Sequence, residues 1–217
     1  MQDDKAITTI DPSSTNLKHL ASGKVRELFE VDSDTLLFVA TDRISAYDVI
    51  LTNGIPGKGD LLTQLSSHWF KLIESKLPSL RHHLISTDLP SAVGSPATSL
   101  LKNRSMQVKR LQPIPLESIV RGYITGSAWT EYKAKGTVHG FAIRAGMRES
   151  EKFDQAIWTP STKAEIGEHD ENISKERAAE TVGAELAEKV EKASLAIYAI
   201  VSMALTSYGY SQLNRRS

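Results

Sequence analysis

Two short apolar stretches joined by turn-forming residues constrain the fold of this chain more than any other feature. In the first stretch Val25, Phe29 and Val31 fall on one face of an extended segment, and in the second the run Thr35–Ala40 is mostly apolar. Residues 32–34, Asp-Ser-Asp, favour a tight turn between them. Both stretches are too short to repeat a helical period, so the pattern predicts two paired strands in a β-rich first half.

A glycine-rich loop and an amphipathic helix are predicted next. The stretch Thr52–Gly59 holds three glycines and a proline, which favours an irregular loop. We expect Asp60 to cap a helix that ends before Pro78. The apolar stripe expected to face the core of the protein is Leu61, Leu62, Leu65, Trp69, Leu72 and Ile73.

The rest of the chain alternates between strand and helix patterns. We predict a surface loop over residues 86–105, a strand over Met106–Leu111, a strand over 119–122, a helix over Ala128–Ala134 closed by Gly136, a polar loop over 146–172 and a long helix capped by Ser174. Strands first and mixed elements later indicate an α+β fold. A hinge near Gln112–Pro115 would separate two lobes, and nucleotides commonly bind in such clefts.

Charge and cysteine usage exclude several classes of function. Lys+Arg and Asp+Glu both number 26, so the formal net charge is zero and no general field attracts nucleic acid or an anionic membrane. The chain has no cysteine, which excludes disulfides, zinc–thiolate sites and thiol nucleophiles. Between Lys192 and Arg215 there is no charged residue, but the apolar run Leu195–Leu205 is only about two thirds of a bilayer span. We therefore expect a buried helix there, and no membrane partner.

Two segments of the first half carry candidate chemistry. Ser22–Arg26 places Gly23 between polar residues and sets the cations Lys24 and Arg26 on alternate positions, so such a loop can cover nucleotide phosphates. The same residues also fit an ordinary strand start with two solvated cations. Neither a P-loop nor a dinucleotide fingerprint occurs.

The second segment is Thr41–Asp48, which puts Asp42, Arg43 and Asp48 at the end of a strand. Strand ends that lead into loops are favoured positions for binding sites. By composition alone, a structural ion pair explains these charges equally well.

Two further candidates lie in the second half. In Arg121–Ser127 an arginine that can bind phosphate precedes a helix N-terminus, where Ser127 is expected to precede or cap the helix; a plain strand–turn–helix also fits. Residues 165–171 hold four carboxylates and His169 just after Lys163, which suits either a Mg²⁺ site or a solvated acidic loop.

Four stretches, taken in order, carry a family resemblance: SGKVRELFEV, TDRISAYDVILTNGIPGKGDLLTQLS, PLESIVRGYITGSAWTEY and TPSTKAEIGEHDENIS. From about Leu17 to about Ala199 the chain resembles the SAICAR synthetase family. The resemblance implies a β-rich N-terminal lobe and an α/β C-terminal lobe with ATP between them. It implies a ligase that uses ATP and Mg²⁺ to join L-aspartate to carboxyaminoimidazole ribonucleotide, and through that pathway a cytoplasmic location. A kinase-like alternative lacks its H-R-D and D-F-G motifs.

The resemblance also implies roles for single residues. Those expected at ATP are Gly23, Lys24, Arg26 and Lys163. Those expected at the substrates are Arg121, Ser127 and Asp170, the last also a possible metal ligand. A family signature without individual roles comprises Asp42, Arg43, Ser45 and Asp48.

The end of the chain departs from the family pattern. After Ala199 the sequence reads IVSMALTSYGYSQLNRRS, without the acidic and basic motifs that follow the long helix in the family. We therefore divide the chain into a polar tail over 1–16, a β-rich lobe over 17–112 and an incomplete α/β lobe over 113–217 with a divergent tail from 200. We expect weak activity or none; the alternative is a non-catalytic variant that retains nucleotide binding.

Overall fold

The computed structural model describes residues 5–47, 49–95, 97–163 and 171–213, with side chains as far as residue 207. The chain divides into two compact units, an N-terminal unit, Met1–Gln112, and a C-terminal unit, Pro113–Ser217. Each unit contains both strands and helices, which confirms the predicted α+β class.

The N-terminal unit is built on an antiparallel sheet. Its strands are β1 (Lys18–Ser22), β2 (Arg26–Glu30), β3 (Thr35–Ala40), β4 (Arg43–Ala46), β5 (Val49–Gly54), β6 (Leu84–Ser86) and β7 (Ser105–Lys109), and its helices are α1 (Lys58–Lys76) and α2 (Ala97–Leu101). The main sheet has the order β1-β2-β3-β7-β6, and β4 and β5 form a separate hairpin. The predicted pair is confirmed, since β2 and β3 are antiparallel with Phe29 opposite Leu37.

The core of this unit lies on one face of the sheet. Phe29, Leu37 and Val39 point into it from alternate positions of β2 and β3. Three more core side chains, Val93, Ala97 and Leu101, come from the stretch predicted to be a surface loop. Their spacing of four residues is helical, and the surrounding Ser, Pro and Thr residues concealed it. Ile10 is also buried, so the part of the expected 1–16 tail that the structure describes packs against the core.

Helix α1 begins earlier than predicted and buries a different face. Its N-cap is Gly57 at φ 76°, so Asp60 lies in the first turn and is not the cap. The predicted loop Thr52–Gly59 was wrong at both ends, because β5 continues to Gly54 and α1 starts at Lys58. The buried residues of α1 are Gly59 and Thr63. Much of the predicted apolar stripe is instead exposed, as at Leu61, Leu62 and Leu65.

The C-terminal unit combines short strand pairs with three helices in its described part. Its strands are β8 (Leu116–Glu117), β9 (Val120–Tyr123), β10 (Thr137–Val138), β11 (Phe141–Ala142), β12 (Lys152–Trp158) and β13 (Ser161–Thr162), and its helices are α3 (Gly126–Lys135), α4 (Lys175–Val182) and α5 (Ala184–Leu213). The antiparallel pairs are β8 with β13, β9 with β12, and β10 with β11.

Two predictions for this unit were only partly correct. The predicted polar loop 146–172 contains β12 and β13, whose pairing partners lie far away in sequence. The long helix is capped by Ser174 as expected, but it is interrupted at Gly183, which adopts φ 90°. Gly136 closes α3 in the left-handed conformation, as predicted.

Helix α5 is more exposed than predicted. Among the described residues, the helical segment Ala184–Ser207 is long and apolar enough to cross a membrane, judged by length and composition only. None of its most apolar stretch is buried inside the protein. Glu185 pairs with Lys189 and Glu188 with Lys192 near its start. One helix of this kind is weak evidence for a membrane span, since core helices of globular proteins can have the same length and composition.

Candidate functional site

In the N-terminal unit, Arg43 holds an exposed turn over residues 23–26, which joins β1 to β2 and ends on the first residue of β2. Its Nε donates to the Lys24 carbonyl oxygen at 2.9 Å, and its Nη2 donates to the carbonyl oxygens of Gly23 at 2.8 Å and Arg26 at 3.4 Å. The turn is closed by a hydrogen bond from the Gly23 amide to the Arg26 carbonyl oxygen at 2.8 Å. One guanidinium therefore fixes the backbone of the whole turn.

A buried carboxylate holds Arg43 in place. Glu27 is 4% exposed, and its Oε1 lies 2.8 Å from Arg43 Nη1. The hydroxyl of Ser22 donates to Glu27 Oε2 at 2.5 Å, and His19 Nε2 lies 3.1 Å from the same oxygen. Burial raises the pKa of Glu27, but these three hydrogen-bond partners lower it by more, so the net pKa lies below its ordinary value. Glu27 is therefore ionised and pairs with Arg43 at neutral pH.

Asp42 organises the other side of this unit. It is 1% exposed; its Oδ1 accepts from the Gly59 amide at 2.8 Å, and its Oδ2 accepts from the amides of Ile7 at 2.8 Å and Gly57 at 3.3 Å. It thus supplies the negative charge at the N-terminus of α1, which has no side-chain cap of its own. Arg104 Nη1 lies 3.2 Å from Asp42 Oδ1. Burial raises the pKa of Asp42, but the Gly59 and Ile7 amides and Arg104 lower it below its ordinary value.

These contacts divide the predicted residues of the N-terminal unit into two groups. The exposed turn carries Gly23, Lys24 and Arg26 together, as the nucleotide interpretation requires. Asp42 and Arg43 are engaged in holding backbone. Ser45 lies on β4 opposite Ile50, and Asp48 lies outside the described residues.

In the C-terminal unit, Arg121 and Ser127 lie together. Arg121 Nη2 donates to Ser127 Oγ at 3.3 Å, from β9 to the first turn of α3. The N-cap of α3 is Thr125 and the helix begins at Gly126, so Ser127 lies inside the helix and does not precede or cap it. The side chain of Thr125 makes no capping hydrogen bond. Arg121 is half buried and its Nε has no hydrogen-bond partner among the described residues. Burial lowers its pKa, yet an arginine stays protonated at neutral pH.

Lys163 follows β13 on an exposed edge of the same unit. Its Nζ lies 3.8 Å from Glu117 Oε1 on the paired strand β8, and the two side chains are 56% and 41% exposed. The pair is therefore accessible and weak. Asp170 lies outside the described residues, as do Glu165, Glu168 and His169.

Several residues that shape these clusters were not predicted from the sequence. Glu27 lies on the same buried face of β2 as Phe29, two residues away. A carboxylate at a core-facing position of a strand is rare, and this pattern could have identified Glu27 from the sequence. Arg104 and His139 are each 4% exposed, and neither lies at a position that a motif picks out.

A metal site held by protein ligands alone needs several oxygen or nitrogen side chains that converge on one point. No group of three histidine or acidic side chains converges within the described ranges. A Mg²⁺ ion bound through nucleotide phosphates needs only one or two carboxylates, so the lack of such a group does not argue against this kind of ion.

Comparisons with known proteins agree on one family. A family model described as SAICAR synthetase matches residues 19–211. The phosphoribosylaminoimidazole-succinocarboxamide synthase of Pichia angusta is 53% identical over 186 residues, which are 82% of this chain and 61% of that protein. The chain thus spans about three fifths of the length of that curated relative.

Solved structures give the same family. The structure described as SAICAR-synthase from Saccharomyces cerevisiae complexed with SAICAR has a TM-score of 0.79 and 47% identity, covering 89% of this chain and 64% of that one. A structure described as SAICAR synthetase (Type-2) in complex with ADP has a TM-score of 0.66 at 22% identity, covering 86% and 68%, and supports the fold alone.

Proposed function

Because this chain belongs to the SAICAR synthetase family, we propose that it carries the site of an ATP-dependent ligase that joins L-aspartate to carboxyaminoimidazole ribonucleotide. The products are SAICAR, ADP and phosphate. The observation that carries the proposal is the turn of Gly23, Lys24 and Arg26, held by Arg43 through three carbonyl oxygens. The SAICAR bound to the Saccharomyces cerevisiae relative supports the same assignment.

The chemistry explains why such a site needs cations and no protein nucleophile. A carboxylate is a poor electrophile, so its oxygen attacks the γ-phosphorus of ATP and ADP leaves. The amine of aspartate then attacks the carbonyl carbon of the acyl phosphate, phosphate leaves, and the amine loses a proton. Every reactant is anionic, so the main tasks are to offset charge and to hold the reactants in position.

Single residues receive roles on this basis. Lys24 and Arg26 bind the ATP phosphates, and Lys163 lies beside the nucleotides. Arg121, Ser127 and the uncapped start of α3 bind the ribonucleotide phosphate, since an arginine next to a helix N-terminus suits an anion. Mg²⁺ offsets the phosphate charge when bound, with Asp170 as a candidate ligand. The cytoplasm is the proposed location.

A direct assay tests the proposal. Purified chain is given the ribonucleotide, aspartate and Mg-ATP while ADP release and SAICAR absorbance are followed. A second chain is extended by the segment that follows the aligned region in the Pichia angusta relative. SAICAR formation by either chain supports the ligase. If neither makes SAICAR but Mg-ATP still binds, the alternative of a nucleotide-binding, non-catalytic protein is favoured.

Matched arginine variants sharpen the result in whichever chain is active. Arg121→Lys keeps the charge but loses the planar fork that can bind a phosphate through two nitrogens. We expect the KM for the ribonucleotide to rise about tenfold or more, the loss expected for one charge-assisted hydrogen bond. Arg144→Lys, at an exposed ion pair with Glu151, is the control and should change nothing. Equal kinetics in both variants would contradict the role given to Arg121.

A further inference from the structure

His139 occupies a conformation that its own preferences do not explain. It lies between β10 and β11 at φ 50° and is 4% exposed. A residue other than glycine rarely adopts positive φ, although Asn, Asp and His tolerate it best. A buried histidine in this conformation must be held by its surroundings, so its contacts decide what it does.

The backbone of His139 is held by helix α3. Glu131 Oε2 accepts from the His139 amide at 2.9 Å, and Oε1 accepts from the Gly140 amide at 3.2 Å and from the Thr137 hydroxyl at 2.8 Å. Glu131 lies four residues after Ser127, so both side chains are on one face of α3. The helix that carries Ser127 therefore fixes the position of His139.

The ring of His139 reaches a different part of the unit. Its Nδ1 lies 3.2 Å from the Pro160 carbonyl oxygen and 3.4 Å from the Ile173 carbonyl oxygen. Both partners are acceptors, so Nδ1 carries the proton and donates to them. Burial and the nearby charge of Arg121 lower the pKa of His139 by more than Glu131 and the two carbonyl acceptors raise it, so the ring is neutral at neutral pH. Its Nε2 has no hydrogen-bond partner among the described residues.

Pro160 and Ile173 form the base of a stem that leads to Lys163. The Ile173 amide donates to the Pro160 carbonyl oxygen at 3.1 Å, and the Thr162 amide donates to the Glu171 carbonyl oxygen at 2.9 Å. The Glu171 amide donates to Thr162 Oγ1 at 3.0 Å. Lys163 follows the last rung directly, so its backbone position depends on the closed stem as well as on the pairing of β13 with β8.

We propose that His139 is a positioning residue, whose Nδ1–H ties both strands of the stem to the hairpin that Glu131 holds, and so fixes Lys163 relative to Ser127. The role given to Lys163 rests on the proposed function, but the structural link does not. Through His139, the positions of Lys163, expected at the nucleotide, and Ser127, expected at the ribonucleotide, are fixed relative to each other within the C-terminal unit.

Two substitutions separate the ring from the backbone. His139→Asn tolerates positive φ and keeps an N–H donor near the place of Nδ1, whereas His139→Gly tolerates the φ value and has no donor. Amide hydrogen exchange at Thr162 and Ile173 is measured in the full chain. We expect exchange about five- to tenfold faster in His139→Gly, the loss of one net hydrogen bond, and near wild-type exchange in His139→Asn. Equal exchange in all three chains would overturn the proposal.

Two further measurements cover the remaining outcomes. If His139→Gly does not fold, nitrogen NMR of the wild-type ring decides, since a proton on Nε2 in place of Nδ1 would overturn the proposal. In whichever chain is active, His139→Gly should raise the KM for ATP more than it lowers kcat, and His139→Asn should restore it. If no chain is active, the proposed function fails, while the exchange and tautomer results still decide the role of His139.

Discussion

At the scale of single residues, buried charges hold the backbone around the candidate site. Arg43 and Asp42 belong to the sequence signature, yet their described partners are mainly main-chain carbonyls and amides. Arg121 and Ser127 lie together, because six residues across a strand–helix turn leave little freedom, and the binding role given to them from the sequence stays a prediction. It could not predict the contact between His139 and Pro160, since that contact depends on how a distant strand packs.

Removing the Asp42 carboxylate should destabilise the N-terminal unit strongly. Asp42→Ala removes one of two carboxylates at the buried Arg104, the other being Asp60, and removes the acceptor for the amides of Gly57 and Gly59 at the start of α1. We expect the free energy of unfolding to fall by about 3–5 kcal/mol, as for other buried pairs that lose one member. Urea unfolding measures it, with the exposed Asp34→Ala as the control. A loss no larger than that of the control would show that Asp42 is not a structural anchor.

The buried neutral ring of His139 should make stability depend on pH. Its folded-state pKa lies below the ordinary value of 6.5, so below that pH the unfolded chain binds more protons than the folded one. Stability therefore falls as pH drops below about 6.5 and stops changing from this source below the folded pKa. His83 has the same sign, so the measurement is the difference between wild type and His139→Asn. No pH dependence in that difference would contradict a neutral ring.

At the scale of elements, predictions from the sequence held where the residues that decide the structure are close neighbours in the chain. The β2–β3 hairpin, the Gly136 terminus and the Ser174 cap depend on neighbouring residues and were found. The start of α1 was missed because its anion is Asp42, fifteen residues before Gly57. A charge supplied from that distance leaves no trace in the local sequence.

A close approach between β9 and α5 leads to a prediction at this scale. A Cβ atom on Gly122 would lie 1.9 Å from the hydroxyl oxygen of Tyr198 and 2.8 Å from its Cζ. Gly122→Ala should therefore destabilise the protein by about 1–3 kcal/mol, as other overpacked sites do. Adding Tyr198→Phe removes the nearest atom and should recover part of the loss in a double-mutant cycle.

The control for this cycle is Gly94→Ala. The nearest atom to a Cβ there is Asn16 Nδ2 at 3.4 Å, so little change in stability is expected. Thermal or urea unfolding of the four proteins in the cycle gives the coupling energy. Additive effects of the two substitutions would mean that the ring moves aside freely.

At the scale of the whole molecule, the sequence predicted class and family because four motifs in order are specific. It predicted burial poorly in α1 and α5, where apolar residues lie exposed in the structure. Apolar periodicity reports which face of a helix prefers to leave water, but it does not report whether a partner covers that face.

Nucleotide binding should appear as stabilisation of the whole chain. We expect Mg-ATP at about 100 times its Kd to add about 2.7 kcal/mol, and hence to raise Tm. The double variant Lys24→Ala, Arg26→Ala should lose most of this shift, and its stability without nucleotide should change little, because contacts of exposed charged side chains contribute little to folding. The control is Lys18→Ala with Lys109→Ala, two exposed lysines of the same sheet. An unchanged shift in the first variant would remove the turn from the ATP site.

Arg43 contacts the turn through main-chain oxygens, so the shape of the turn does not depend on which side chains it carries at positions 24 and 26. Substitutions at positions 24 and 26 change the charge that the turn presents and leave its three anchoring oxygens where they are. Different side chains can thus replace Lys24 and Arg26, in evolution or in a designed library, while the backbone of the turn keeps its shape. A change at position 43 would alter every version of the turn at once.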